Sequence, residues 1–152
     1  MTTPTLRGPK GFGPTIEGYV LVARGGFSAR YDVDPESGLI TREEHELYGE
    51  SVARRILVFH TAKGGVATSW RLLDMVKRGT APAGLVFSEL NPVMVQGAIL
   101  ANIPIVHRFT PDPVETLRSG DRVRLTPERG ELILQEGDRW HLSPSSSQGR
   151  ST

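Results

Sequence analysis

The chain has 152 residues, of which 38% are hydrophobic and 23% charged, a length and balance that suit one globular domain and exclude a disordered chain. Eighteen Lys and Arg against seventeen Asp and Glu leave a formal net charge of +1, so no net field recruits nucleic acid or an anionic membrane. No cysteine is present, which excludes disulfides, a thiolate nucleophile, cysteine-ligated zinc and an iron–sulfur cluster held by this chain alone.

Residues 1–15 (MTTPTLRGPKGFGPT) lack the apolar run of a secretory signal, and no stretch reaches the roughly 20 apolar residues of a membrane span, so a cytoplasmic protein is expected. Residues 1–15 and 143–152 (SPSSSQGRST) are rich in Gly, Pro, Ser and Thr. They are expected to form a flexible N-terminal segment and a disordered C-terminal tail around a domain at 16–142. Short β-branched and aromatic runs at 18–24 (GYVLVAR) and 56–61 (ILVFHT) predict strands. Between them Asp34, Pro35 and Gly38 predict a turn, after which Leu39 and Ile40 resume extended chain.

After Thr61 the periodicity changes to that of a helix, with Val66, Trp70, Leu73 and Val76 on one apolar face and Leu72 and Met75 beside them. Gly79 and Pro82 end it. Residues 83–89 (AGLVFSE) predict a second strand, Asn91 an N-cap, Pro92 the first position of a helix that runs to about Ala101, and residues 103–109 (IPIVHRF) a third strand. The order strand, helix, strand, helix, strand implies an α/β fold with a βαβαβ parallel core, whose ligand loops gather at the carboxyl ends of the strands. Residues 121–126 and 132–135, around a turn at 128–130, predict a closing hairpin.

The loop after the 56–61 strand holds the most chemistry. Gly64 and Gly65 allow a ligand close to the backbone, Lys63 stands beside them, and the N-terminus of the following helix presents unpaired N–H groups, so the loop can cradle an anion. The spacing of a Walker loop and of a dinucleotide fingerprint are both absent. Thr68 and Ser69 serve equally as helix caps, and Asn91 occupies the corresponding loop after the next strand. His45, His60, His107 and His141 show no metal-ligand spacing.

An ordered series of motifs resembles the small swivel-domain subunit of aconitase X, a divergent branch of the aconitase superfamily. The series starts with the acidic turn Val33-Asp34-Pro35-Glu36-Ser37-Gly38-Leu39-Ile40, His45, Gly49 and Ile56-Leu57-Val58-Phe59. It continues through Lys63-Gly64-Gly65, Ser69, Leu72-Leu73, Gly79-Thr80-Ala81-Pro82-Ala83 and Asn91-Pro92, and ends at Gly97-Ala98-Ile99-Leu100-Ala101 and Ile103-Pro104-Ile105-Val106. The resemblance implies a swivelling β/β/α domain with flanking β-hairpins. It also implies a cysteine-bearing large subunit that carries an iron–sulfur cluster, and a hydro-lyase formed by the pair. Substrates of such enzymes are small hydroxy acids, cis-3-hydroxy-L-proline or 5-phosphomevalonate. A serine of the swivel-domain loop removes a carbon-bound proton while cluster iron polarises the departing hydroxyl.

In this chain Gly65 stands where the family's loop commonly carries that serine, and hydroxyls arrive only at Thr68 and Ser69. Ser69 is the candidate base, with Lys63, Gly64, Gly65, Thr68 and Asn91 as the candidate substrate-binding set. Two other readings stand beside it: a base supplied by the partner, and a non-catalytic binding or regulatory partner that has lost the serine. Only Lys63 and Arg71 are basic near the loop, which favours hydroxyproline over a phosphorylated substrate.

Overall fold

A computed structural model describes residues 5–24, 26–28, 31–62, 66–89 and 92–139. In chain order the elements are β1 (Thr5–Arg7), β2 (Ile16–Val22), β3 (Gly26–Phe27), β4 (Ile56–Ala62), α1 (Val66–Arg78), β5 (Gly84–Glu89), α2 (Pro92–Ala101), β6 (Ile105–His107), α3 (Pro113–Thr116), β7 (Asp121–Thr126) and β8 (Glu131–Arg139). Strands follow one another as β1-β8-β7-β2-β4-β5-β6, with β3 also on β4. The pairs β2–β4, β3–β4, β4–β5 and β5–β6 are parallel, while β1–β8, β2–β7 and β7–β8 are antiparallel. The expected βαβαβ parallel core and closing hairpin are both present.

Strict alternation along the parallel strands builds two cores from one sheet. Leu21, Leu57, Phe59, Leu85, Phe87 and Ile105 point to the helices, where Leu72, Met75, Met94 and Ala98 meet them. Val20, Ile56, Val58, Val86 and Val106 point the other way, against Val123, Leu125 and Leu132 of the antiparallel strands and Val114 beside them. The sheet is apolar on both faces because both are covered, and the result is the β/β/α layering.

Two expectations change at α1 and β6. The buried side of α1 is Thr68, Ser69, Leu72 and Met75, while Val66 and Trp70 are 66% and 62% exposed and Val76 is 41% exposed. Counting large apolar residues selects the wrong face here. Small hydroxyl residues face α2 instead, and a Cβ on Gly97 would lie 2.8 Å from both the Cα and the Oγ of Ser69, so close helix approach outweighs side-chain size. The third strand also stops at His107, because Arg108 takes a left-handed φ of 57°.

Residues 5–12, part of the N-terminal segment expected to be flexible, are built into the fold. Leu6 is fully buried and pairs with Leu132. Gly8 N–H donates to Gly130 O at 2.9 Å, Gly11 N–H to Pro127 O at 2.9 Å, and Phe12 exchanges backbone hydrogen bonds with Ile105. Residues 5–12 thus run from β8 across the β7–β8 turn to β6. Composition concealed this, because the glycines that suggest mobility are what let two backbones touch.

The Asp34 turn forms as expected, with Gly38 at φ 76° and Ser37 Oγ donating to Asp34 at 2.7 Å. Leu39 and Ile40 make only isolated bridges, to Ser51 and Val33. Buried Asp32 ties this excursion to the end of β3, accepting from Ser28 N–H at 2.8 Å and facing Arg42 at 3.4 Å and His45 at 3.8 Å.

Candidate functional site

All parallel strands deliver their carboxyl ends to one side of the molecule, where an α/β sheet places its ligands. Lys63, Gly64, Gly65 and Asn91, four of the six expected site residues, lie outside the described residues. The other two sit in α1. Thr68 is 2% exposed, and its Oγ1 has no hydrogen-bond partner among the described residues. Ser69 is 8% exposed, and its Oγ donates to Val93 O in α2 at 2.9 Å. An alkoxide at Ser69 would face that carbonyl oxygen, which opposes the deprotonation a base needs.

Ser69 thus has a clear packing role. Ser69→Ala removes the Oγ hydrogen bond and leaves Val93 O one donor short, so thermal melting should show a loss of about 1 kcal/mol. In an assembled enzyme, a tenfold fall in turnover with unchanged melting would instead make Ser69 the base.

A second group of residues gathers at the same end, and it was not read as a site from the sequence. A cavity of about 620 Å3 is lined by Ser88 and Glu89 at the end of β5, His107 and Arg108 at the end of β6, and Phe109, Thr110 and Asp112 beyond. Asp112 is held in place: its carboxylate accepts from Ser88 Oγ at 2.9 Å and, as N-cap of α3, from Val114 N–H at 3.1 Å. His60, at the end of β4, lies between Asp112 at 3.8 Å and Glu115 at 4.0 Å. Arg24 pairs with Glu115 at 2.9 Å, and its backbone N–H donates to Glu46.

His107 behaves differently. Its Nδ1 is buried with no partner among the described residues. Burial, and then the neighbouring Arg108, hold its pKa below the ordinary imidazole value, so the ring is neutral at pH 7. The signal that could have found this group was positional: each residue lies in the last residues of a parallel strand or in the segment that follows it, where the carboxyl-end rule looks for ligands.

The comparisons agree with this architecture. The family description "Aconitase X swivel domain" matches residues 5–134. The chain is 42% identical over 112 residues to the phosphomevalonate dehydratase small subunit of Methanopyrus kandleri, covering 74% of this chain and 83% of the relative. It is 39% identical over 131 residues to the protein of the same name from Pyrococcus horikoshii, covering 85% and 96%. The crystal structure of holo-form aconitase X from Thermococcus kodakaraensis superposes with a TM-score of 0.82 at 34% identity, over 88% of this chain and 99% of that one. With a family match over most of its length and the same fold, the chain belongs to the aconitase X swivel-domain family.

Proposed function

We propose that this chain is the small subunit of a phosphomevalonate dehydratase, a hydro-lyase completed by a separate large subunit of aconitase X type. The observation that carries this reading is the near end-to-end match to relatives bearing that name. It replaces the expectation of hydroxyproline, which rested on a shortage of basic groups near the loop. Arg108 is distant from that loop in sequence yet lines a cavity at the same end of the sheet, so local sequence undercounts the cations available there.

The residues of this chain do not fit an iron–sulfur cluster. It has no cysteine, and the described residues include no group of three His, Asp or Glu that could hold a metal. In this reading the thiolate ligands and the cluster belong to the large subunit, and the pair works in the cytoplasm. Val66 and Trp70, exposed one turn apart at the start of α1 and next to the loop that would meet substrate, give that subunit an apolar surface to cover.

Co-expression with a cysteine-bearing large subunit tests the proposal. The two chains should co-purify and eliminate water from 5-phosphomevalonate at least tenfold faster than from cis-3-hydroxy-L-proline, a difference of about 1.4 kcal/mol or more. Failure to co-purify, or a preference for hydroxyproline, overturns it. A second reading, a swivel domain kept for binding alone, is favoured by Gly65 at the serine position and by the engagement of Ser69 Oγ with Val93. It requires ligand binding by the complex with no turnover.

A further inference from the structure

The first turn of α1 brings two hydroxyls to the carboxyl end of the sheet, and the fold uses one of them. Ser69 Oγ donates to Val93 O at 2.9 Å and clips α1 to α2. Thr68 Oγ1 has no hydrogen-bond partner among the described residues, although the residue is only 2% exposed. A buried hydroxyl without a partner is costly, and native folds seldom keep one that serves nothing. Thr68 shares the buried face of the helix with Leu72 and Met75, which meet the sheet. Side chains of a helix lean towards its N-terminus, so this hydroxyl lies over the start of α1.

The charges along α1 point the same way. Lys77 and Arg78 occupy its last turn, where cations complement the helix dipole, but its first turn carries no acidic side chain. The positive end of the dipole and the N–H groups that open the helix are therefore not met by a carboxylate of that turn. A spare hydroxyl beside such N–H groups adds one more donor, and what donors lack is an acceptor, best of all a charged one. Residues 66–69 include no Lys or Arg to balance a dianion, so a singly charged carboxylate costs less to desolvate there than a phosphate.

We propose that Thr68 is a ligand-binding residue whose hydroxyl donates to a carboxylate oxygen seated at the N-terminus of α1, while Ser69 holds the two helices together. Taking that carboxylate to be the acid group of a hydroxy acid rests on the dehydratase reading; the carboxylate site itself does not. Oγ1 is closed to water, so a carboxylate reaches it only as the end of α1 opens, and the amides of that turn must respond when it does.

The test uses the full chain without any partner, so its failure leaves the dehydratase reading standing, and an inactive complex leaves the Thr68 site standing. Thr68→Val exchanges the hydroxyl for a methyl and keeps the β-branch. Its melting temperature should rise by about 2–4 °C, because an unpaired polar group leaves the interior. Sodium acetate then replaces sodium chloride at constant ionic strength around the 15N-labelled chain, followed by NMR. Acetate should shift the amides of residues 66–69 saturably. Thr68→Val should weaken that binding about tenfold or more, as the loss of a hydrogen bond to a charged group requires, whereas Thr68→Ser, which keeps the hydroxyl, should bind nearly as well as the parent chain. Lys77→Gln, on the exposed last turn of α1, should leave acetate binding as it was. A lower melting temperature for Thr68→Val, no saturable shift, or equal acetate binding with and without the hydroxyl overturns the proposal.

Discussion

Phe59→Ala is expected to lower the unfolding free energy by about 3–5 kcal/mol, the range for emptying a buried aromatic site. The ring is fully buried in the middle of β4. It stacks on Phe27 of β3 with centroids 4.8 Å apart and on Phe87 of β5 at 6.0 Å, while His45 meets it at 6.4 Å. One side chain therefore joins three parallel strands to the excursion that precedes them, and neighbours built on a hydrogen-bonded sheet cannot collapse into the space it leaves. Urea denaturation should show the midpoint falling with little change in slope. Trp70→Ala removes a larger ring from the exposed face of α1 and should stay within about 0.5 kcal/mol. Equal losses for the two variants would mean that the side of α1 facing the sheet has been misassigned.

Gly130→Ala should cost about 3 kcal/mol or more, from two independent sources. Gly130 has φ 59° and ψ 47°, where a Cβ costs about 1–2 kcal/mol. That Cβ would also fall 2.0 Å from Gly8 O, an overlap relieved only by moving backbone, at about 1–3 kcal/mol for overpacking of this kind. The N-terminal segment is what must move. Amide exchange at Leu6, Gly8 and Phe12 should therefore quicken by more than at Val58 or Val86 in the core, and uniform quickening would contradict this account. Gly49 also has a positive φ, 89°, but nothing within 4 Å of its Cβ position, so Gly49→Ala meets only the conformational cost.

Much of this fold is legible in the residues. The βαβαβ order follows from where periodicity changes between two and 3.6, and the β7–β8 hairpin from alternation around residues 128–130. The face of α1 was not legible, because Ser69 is buried by a contact with Gly97 some thirty residues away rather than by its own hydrophobicity. The role of the first residues escaped for a related reason: the partners of Gly8 and Gly11 lie at Gly130 and Pro127. At the site, the glycine loop was visible as a local pattern, whereas Ser88, His107, Arg108 and Asp112 come together only through the sheet.

The backbone hydrogen bonds between Phe12 and Ile105, together with β1 along β8, bear on how the protein behaves in a test tube. Phe12 occupies part of the outer row of donors and acceptors on β6, and three-residue β1 covers β8 before the chain turns away. A strand from another copy finds less to join along these two stretches, which is one way sheet proteins avoid templated self-association. Shortening the chain by its first fifteen residues, as the composition invites, would expose both margins together and yield a preparation that clumps before any partner can reach it.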